Sequence, residues 1–187
     1  MKLILATNSE FRINIYKKLG FDIEAIPSKE KENYFDNSDP IKYVEELSKI
    51  KANSVALNIV DGIVIGTDTI AVIDNKILEK PQNIEEVRSN MKLLQGRDNL
   101  AISGVTIIDT NKNISKTFTE ITTVTFAKMD DNDIEWYINN VTNVFQCAGY
   151  SISGEGGRFI EKINGDYNNI FGAPISRVYS ELKKGFM

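Results

Sequence analysis

The chain of 187 residues contains no histidine. That absence removes imidazole acid–base chemistry, the Ser-His and Cys-His nucleophile arrangements and imidazole metal sites. Any catalysis must rest on carboxylates, lysines, arginines or a cation held by oxygen ligands, and oxygen ligands suit magnesium or manganese rather than zinc. A single cysteine excludes an intramolecular disulfide. With no CxxC around it, Cys147 is expected to be a small buried residue rather than a nucleophile. Basic residues are not in excess: 22 Lys and Arg stand against 26 Asp and Glu, for a formal net charge of -4. A duplex nucleic-acid binder would want a basic face. Nucleic acid is therefore not an expected partner, although a small anion held by a few local cations is compatible. Apolar runs are short. None approaches membrane-spanning length, and residues 3–6 are too few for a secretory signal, so a cytoplasmic chain with no membrane partner is expected. What is present suffices for a sizeable core, with apolar residues at 42%. The length suits a single domain over residues 1–187, divided into two lobes.

The most informative stretch is residues 62–73, GIVIGTDTIAVI. Two apolar, β-branched runs flank a small polar centre and predict a strand buried on both faces. Asp68 lies in that centre. A carboxylate in a buried strand is costly unless it is paired, hydrogen-bonded or bound to a cation. It is either part of a metal-dependent phosphate site or an aspartate satisfied by neighbouring hydroxyls and amides. Gly66 allows close approach to the backbone or marks a bulge. Asp74-Asn75 predicts a hairpin turn, and the returning strand would bring Lys80 back towards Asp68.

Around this stretch, helical and extended patterns alternate. Residues 2–6 read as a first strand, followed by Thr7-Asn8-Ser9, a run of good N-cap residues. A helix from about residue 10 to 19 presents Phe11, Ile15 and Leu19 on one face, and Gly20 stops it. A strand, a polar turn and a helix N-terminus together form an anion site, because free N–H groups and the helix dipole converge on the turn. Arg12 in the first turn opposes the dipole; it is either an ordinary exposed arginine or a phosphate ligand. Residues 21–26 read as a strand and 27–39 as an acidic loop. A second helix over 40–57 places Lys51 on its apolar face with Val44 and Leu47, where it snorkels to the edge or reaches an anion. Asn83 caps a third helix with a capping-box glutamate. Residues 99–109 and 114–127 read as neighbouring antiparallel strands. Asp130 opens a fourth helix, residues 159–163 form a strand within a glycine-rich region, and Pro174 starts the last helix. The whole predicts an α/β fold with a mixed, twisted sheet, flanking helices and two lobes around a cleft.

Several of these segments resemble one family. Leu3-Ile4-Leu5-Ala6-Thr7-Asn8-Ser9-Glu10-Phe11-Arg12 is similar to the L-I-L-A-S-x-S-P-R-R opening of the Maf-like nucleotide pyrophosphatases. Gly66-Thr67-Asp68-Thr69 resembles their G-A-D-T strand, and Leu78-Glu79-Lys80-Pro81 their L-x-K-P. Leu94-Gln95-Gly96-Arg97 resembles their L-S-G-R. Ala148-Gly149-Tyr150, Gly165-Asp166-Tyr167 and Gly172-Ala173-Pro174 follow their A-G-x-Y, G-D-Y and G-L-P tail. The resemblance runs in order along essentially the whole chain. It implies a fold similar to the inosine triphosphatases and hydrolysis of nucleoside triphosphates to the monophosphate and pyrophosphate with Mg2+ or Mn2+. It further implies that Asp68 is the catalytic carboxylate, acting as proton acceptor, as metal ligand or as both, with Glu32 as a loop carboxylate that helps hold the metal. Ser9, Arg12, Lys51 and Lys80 are implied to bind phosphate, and a homodimer is the implied assembly.

Choice of base is divided within the family. One branch prefers dTTP and UTP and usually has Arg at the position of Phe11; the other prefers 7-methyl-GTP and has an aromatic there. Thr69 matches the pyrimidine branch, and Ser153 matches neither. Gln146-Cys147-Ala148-Gly149 leans towards the second branch and Gly165-Asp166-Tyr167 towards the first. The resemblance therefore implies a housecleaning triphosphate pyrophosphatase for non-canonical or pyrimidine nucleotides. Its alternatives are the 7-methyl-GTP branch and a non-catalytic, nucleotide-binding regulator of septum formation.

Overall fold

The computed structural model describes residues 2–30 and 36–186. Among the described residues there are seven strands: β1 (Lys2–Leu5), β2 (Ile23–Ala25), β3 (Gly62–Ile73), β4 (Lys76–Leu78), β5 (Asp98–Asp109), β6 (Ile114–Phe126) and β7 (Ile160–Asn164). The α-helices are α1 (Glu10–Lys18), α2 (Pro40–Ala56), α3 (Ile84–Leu94), α4 (Asp131–Asn140) and α5 (Ile175–Glu181). The protein is α/β, as predicted. Its mixed sheet has the strand order β2-β1-β3-β5-β6-β7, with β4 added to β3. The chain divides into two compact units: Met1–Thr69, Ile102–Ile121 and Asp166–Met187 form the first, Ile70–Ala101 and Thr122–Gly165 the second.

In the first unit, β1 runs parallel to β2 (Leu3↔Ile23, Leu5↔Ala25) and to β3 (Lys2↔Gly62, Leu5↔Ile65). Alternate side chains leave the sheet on opposite faces. Ile4, Ala6 and Val64 pack with Ala52 and Val55 of α2. Leu5, Ile63, Ile65, Val105 and Ile107 pack with Tyr16 of α1 and with Val178 and Leu182. Each fully buried aliphatic side chain of this kind contributes about 1.5–3 kcal/mol. Helix α2 starts where Asp39 accepts from Ile41 N (3.1 Å) and Lys42 N (3.2 Å), with Pro40 in the first turn. Its seat on the sheet is two glycines. A Cβ on Gly66 would lie 2.4 Å from Ser48 O and 2.5 Å from Ala52 N, and one on Gly104 would lie 2.2 Å from Val44 O. Only side-chain-free positions admit the helix backbone at that distance.

In the second unit, Asp74 and Asn75 have φ of 51° and 59°, the mirror-image turn that suits strand twist. They close β3 on β4 with Ile73 opposite Lys76. Arg97 Nη2 binds both Asp74 oxygens at 2.6 and 2.8 Å. Asn83 caps α3 by accepting from Glu86 N at 2.9 Å. The Glu86 carboxylate accepts from Gln82 N (2.8 Å), one residue earlier than a capping box requires. Helix α4 does carry a capping box, between Asp130 and Asp133. Trp136 and Tyr137 pack on Phe159, and the Tyr137 hydroxyl accepts from Ser151 N at 2.9 Å. Burial pushes its pKa up to about 12.

Further expectations change. The strand predicted over 159–163 begins at Ile160, because Gly154–Phe159 coils into a 3-10 helix. Cys147 is exposed rather than buried, at a turn position with φ of 49°. No helix among the described residues is long and apolar enough to cross a membrane.

Candidate active site

Strand β1 is short. Its ladder with β3 ends at Leu5↔Ile65, followed by a last bond from Ala6 N to Ile65 O at 2.8 Å. Strand β3 continues for eight more residues, beginning Gly66-Thr67-Asp68-Thr69. Beyond the end of β1, Thr67 O accepts from a side chain, Arg12 Nη1 at 3.1 Å, before β4 takes up the pairing at Ala71. Ligand sites of open α/β sheets lie at this carboxyl edge of parallel strands.

The turn after β1 fills part of that edge. Thr7 Oγ1 accepts from Ser9 N (3.1 Å) and from Arg12 Nη1 (3.3 Å). Ser9 Oγ accepts from Arg12 N at 3.3 Å and caps α1. Arg12 Nη1 also donates to Thr67 O at 3.1 Å. The guanidinium is thereby laid across the end of β1 and the middle of β3 at the N-terminus of a helix, where backbone N–H groups favour an anion. Gly172, at φ 72°, lies against it. A Cβ there would fall 2.2 Å from Arg12 Nη2 and 2.6 Å from Thr69 Oγ1.

On the opposite face of β3 stands Asp68. Lys51 of α2 donates to Asp68 Oδ1 at 2.5 Å, and the two side chains are 16% and 14% exposed. With both side chains so enclosed, removing either partner would leave the other without its counter-charge. Lys51 is placed by its helix, since its neighbours Ser48 and Ala52 are the residues whose backbones rest on Gly66. The Ser48 hydroxyl adds a 2.8 Å bond to Thr106 of β5.

An aromatic group borders the Arg12 side of the edge. Phe11 stacks on Phe171 with centroids 4.7 Å apart, and Tyr167 meets Phe171 edge-on at 5.4 Å. Phe11 and Tyr167 are each 51% exposed. Between this group and β3, Thr69 Oγ1 is 2.8 Å from Ser103 Oγ, which donates to Asn169 O at 3.3 Å.

Six of the sequence-predicted residues, Ser9, Phe11, Arg12, Lys51, Asp68 and Thr69, thus belong to the first unit and meet around the end of β1. Lys80 and Ser153 belong to the second. Lys80 is exposed, and its carbonyl accepts from Gln82 Nε2 at 2.8 Å. Ser153 Oγ lies 3.2 Å from Ser151 Oγ, at the start of the 3-10 helix. Glu32 lies outside the described residues. Among the described residues, no group of three His, Cys, Asp or Glu side chains could hold a metal. Of the two predicted metal-holding carboxylates, Asp68 alone lies within the described residues; an oxygen donor of that kind is compatible with a divalent cation whose other ligands are water and phosphate. Ser103, Asn169 and Phe171 carry no sequence signal of a site. A serine within an alternating strand looks like any other; the glycines after Gln146 are the one hint that the backbone there wraps closely.

The family model for Maf-like proteins matches residues 2–185. A protein of Carboxydothermus hydrogenoformans named dTTP/UTP pyrophosphatase is 35% identical over 184 residues, covering 98% of each chain. One of the same name from Thermosipho melanesiensis is 39% identical over 182 residues, covering 97% of each. Among solved structures, the Ham1 protein of Staphylococcus aureus aligns with a TM-score of 0.52 over 98% of this chain and all of its own, at 17% identity. That likeness is one of fold, and agrees with the predicted architecture. With the family model covering almost every residue, the chain belongs to the Maf-like protein family.

Proposed function

We propose that this protein is a nucleoside triphosphate pyrophosphatase that cleaves between the α- and β-phosphates, with dTTP and UTP as its preferred substrates. The observation that carries the reading is the Lys51–Asp68 pair at the open edge of β3, one residue from the carbonyl that anchors Arg12. The names of the relatives support the pyrimidine preference.

In this reading Arg12, Lys51 and Lys80 bind the triphosphate oxygens, and Ser9 lies on the turn that receives them. Their positive charge stabilises the negative charge that spreads over the phosphates in the transition state. A water oxygen forms a bond to the α-phosphorus as the bond to the bridging oxygen of the β-phosphate breaks. Asp68 accepts the proton of that water, and pyrophosphate leaves with the bridging oxygen. Lys51 stands paired with Asp68 before substrate arrives, so the base and one phosphate-binding cation are positioned together. Asp68 and Glu32 are the carboxylates that would hold Mg2+ or Mn2+. When bound, the cation neutralises the triphosphate and lowers the pKa of its water. Phe11, Thr69 and Ser153 contact the nucleoside. The protein acts in the cytoplasm as a homodimer, an assembly that light scattering on the purified protein tests by a molar mass twice that of the chain.

The test is pyrophosphate release from dTTP, UTP, CTP and 7-methyl-GTP with Mg2+ or Mn2+, beside Asp68→Asn. The reading expects metal-dependent release, fastest with dTTP or UTP, reduced about 10²- to 10⁴-fold in the variant. Equal rates for the variant and the natural protein would remove Asp68 from the chemistry.

A further inference from the structure

We propose that Ser103 fixes the hydroxyl of Thr69 as a hydrogen-bond acceptor towards the nucleobase, so that the site selects a base presenting a ring N–H. The inference rests on the reading of Thr69 as a nucleoside contact. It follows from the number of protons available. The Asn169 carbonyl can only accept, and it takes Gly172 N at 2.8 Å and the Ser103 hydroxyl at 3.3 Å. A serine has one hydroxyl proton. With that proton committed to Asn169 O, the 2.8 Å contact between Ser103 and Thr69 has Thr69 as its donor. Ser103 is fully buried at 0% exposure, so water does not compete for its proton. The single proton of Thr69 therefore points into the protein. Only its oxygen lone pairs remain for a ligand.

Asn169 also positions the group beside Thr69. Its side chain donates to Glu120 O at 3.2 Å, and the short turn Asn168–Phe171 carries Phe171, on which Phe11 stacks. One buried hydroxyl thus orients Thr69 and ties it to the turn that supplies the aromatic surface. A base lying on such a surface meets an acceptor at its edge. Thymine and uracil present N3–H there, whereas the N3 of cytosine is itself an acceptor and would face the Thr69 lone pair. Ser103 is a positioning residue, acting on base choice through Thr69.

The experiment measures kcat/KM for UTP and CTP in the natural protein, Ser103→Ala and Thr69→Val, and for N3-methyl-UTP in the natural protein. The proposal expects UTP to be favoured over CTP and N3-methyl-UTP to be a poor substrate. In Ser103→Ala the Thr69 hydroxyl is free to donate, and the UTP-to-CTP ratio falls about five- to tenfold, the worth of one hydrogen bond. In Thr69→Val it falls at least as far. A ratio that shifts in Thr69→Val but not in Ser103→Ala overturns the role of Ser103 while leaving Thr69 as a base contact. A ratio unchanged in Thr69→Val overturns the base contact without touching hydrolysis. Equal turnover of N3-methyl-UTP and UTP overturns the proposal with no substitution at Ser103 needed. No turnover of any triphosphate overturns the pyrophosphatase reading itself.

Discussion

Glu181 shows what a single charged residue does for this fold. Its carboxylate is 2% exposed and receives Lys116 Nζ at 2.5 Å, Arg177 Nε at 3.1 Å and Lys184 Nζ at 3.2 Å. The hydrogen bond from Lys116, with help from Lys184, lowers its pKa to about 2 from an ordinary value of 4.5. A carboxylate whose pKa is depressed by folding contributes stability above its unfolded pKa and loses it as pH falls through the folded value. That contribution is complete at pH 7 and disappears between pH 4.5 and 2. Glu181→Gln is expected to lower stability by about 1–3 kcal/mol at neutral pH. Denaturant unfolding should show the gap between variant and natural protein closing as pH drops towards the folded pKa; a constant gap would deny the ionic origin. At this scale the sequence is informative only where a residue clashes with its neighbours. Asp68 stands out as one charge inside a β-branched run, and Lys51 as one cation on an apolar helix face. Glu181 does not, because Lys116 comes from a strand far away in sequence. Cys147 runs against expectation because its exposure follows from a turn with positive φ, which nothing in its own residue type announces.

At the scale of elements, the seating of α2 on the sheet decides the geometry of the Lys51–Asp68 pair. The backbone of α2 rests on Gly66, and Lys51 is on the turn between Ser48 and Ala52. Gly66→Ala would drive a methyl group into backbone atoms, which cannot rotate away, so the helix must move. A displacement of about 1 Å costs a catalytic arrangement up to ~10²-fold. Gly66→Ala is therefore expected to reduce kcat/KM by about 10- to 100-fold and stability by about 1–3 kcal/mol. Gly185→Ala, with nothing within 4 Å of the added carbon, should change neither. Steady-state kinetics and thermal unfolding of both variants check this. Element positions are largely legible. The helix expected over 40–57 is Pro40–Ala56, and the strand expected over 62–73 is Gly62–Ile73. Caps, apolar periodicity and the Asp74-Asn75 turn carry that information locally. The strand expected over 21–26 shrinks to Ile23–Ala25, since pairing with a four-residue β1 sets its length. The 3-10 helix Gly154–Phe159 is not legible, because glycines predict freedom rather than a particular turn.

At the scale of the whole molecule, composition excludes more than it identifies. The absence of histidine directs attention to carboxylates and lysines, and the pair found at the edge of β3 is of that kind. The order of strands is not legible. Strand β3 stands between β1 and β5 because of pairing over long sequence separations, which no local pattern encodes. Strands β3, β5 and β6 each contribute residues to both compact units, so no boundary shows as a linker or a change of composition. The proposed chemistry rests on attack of water at the α-phosphorus, directed by the groups around the end of β1. Hydrolysis of UTP in water enriched in 18O, followed by mass spectrometry of both products, tests it most directly. Attack at the α-phosphorus predicts one 18O in the nucleoside monophosphate and none in pyrophosphate. Label in pyrophosphate, or release of single phosphate in its place, would contradict it.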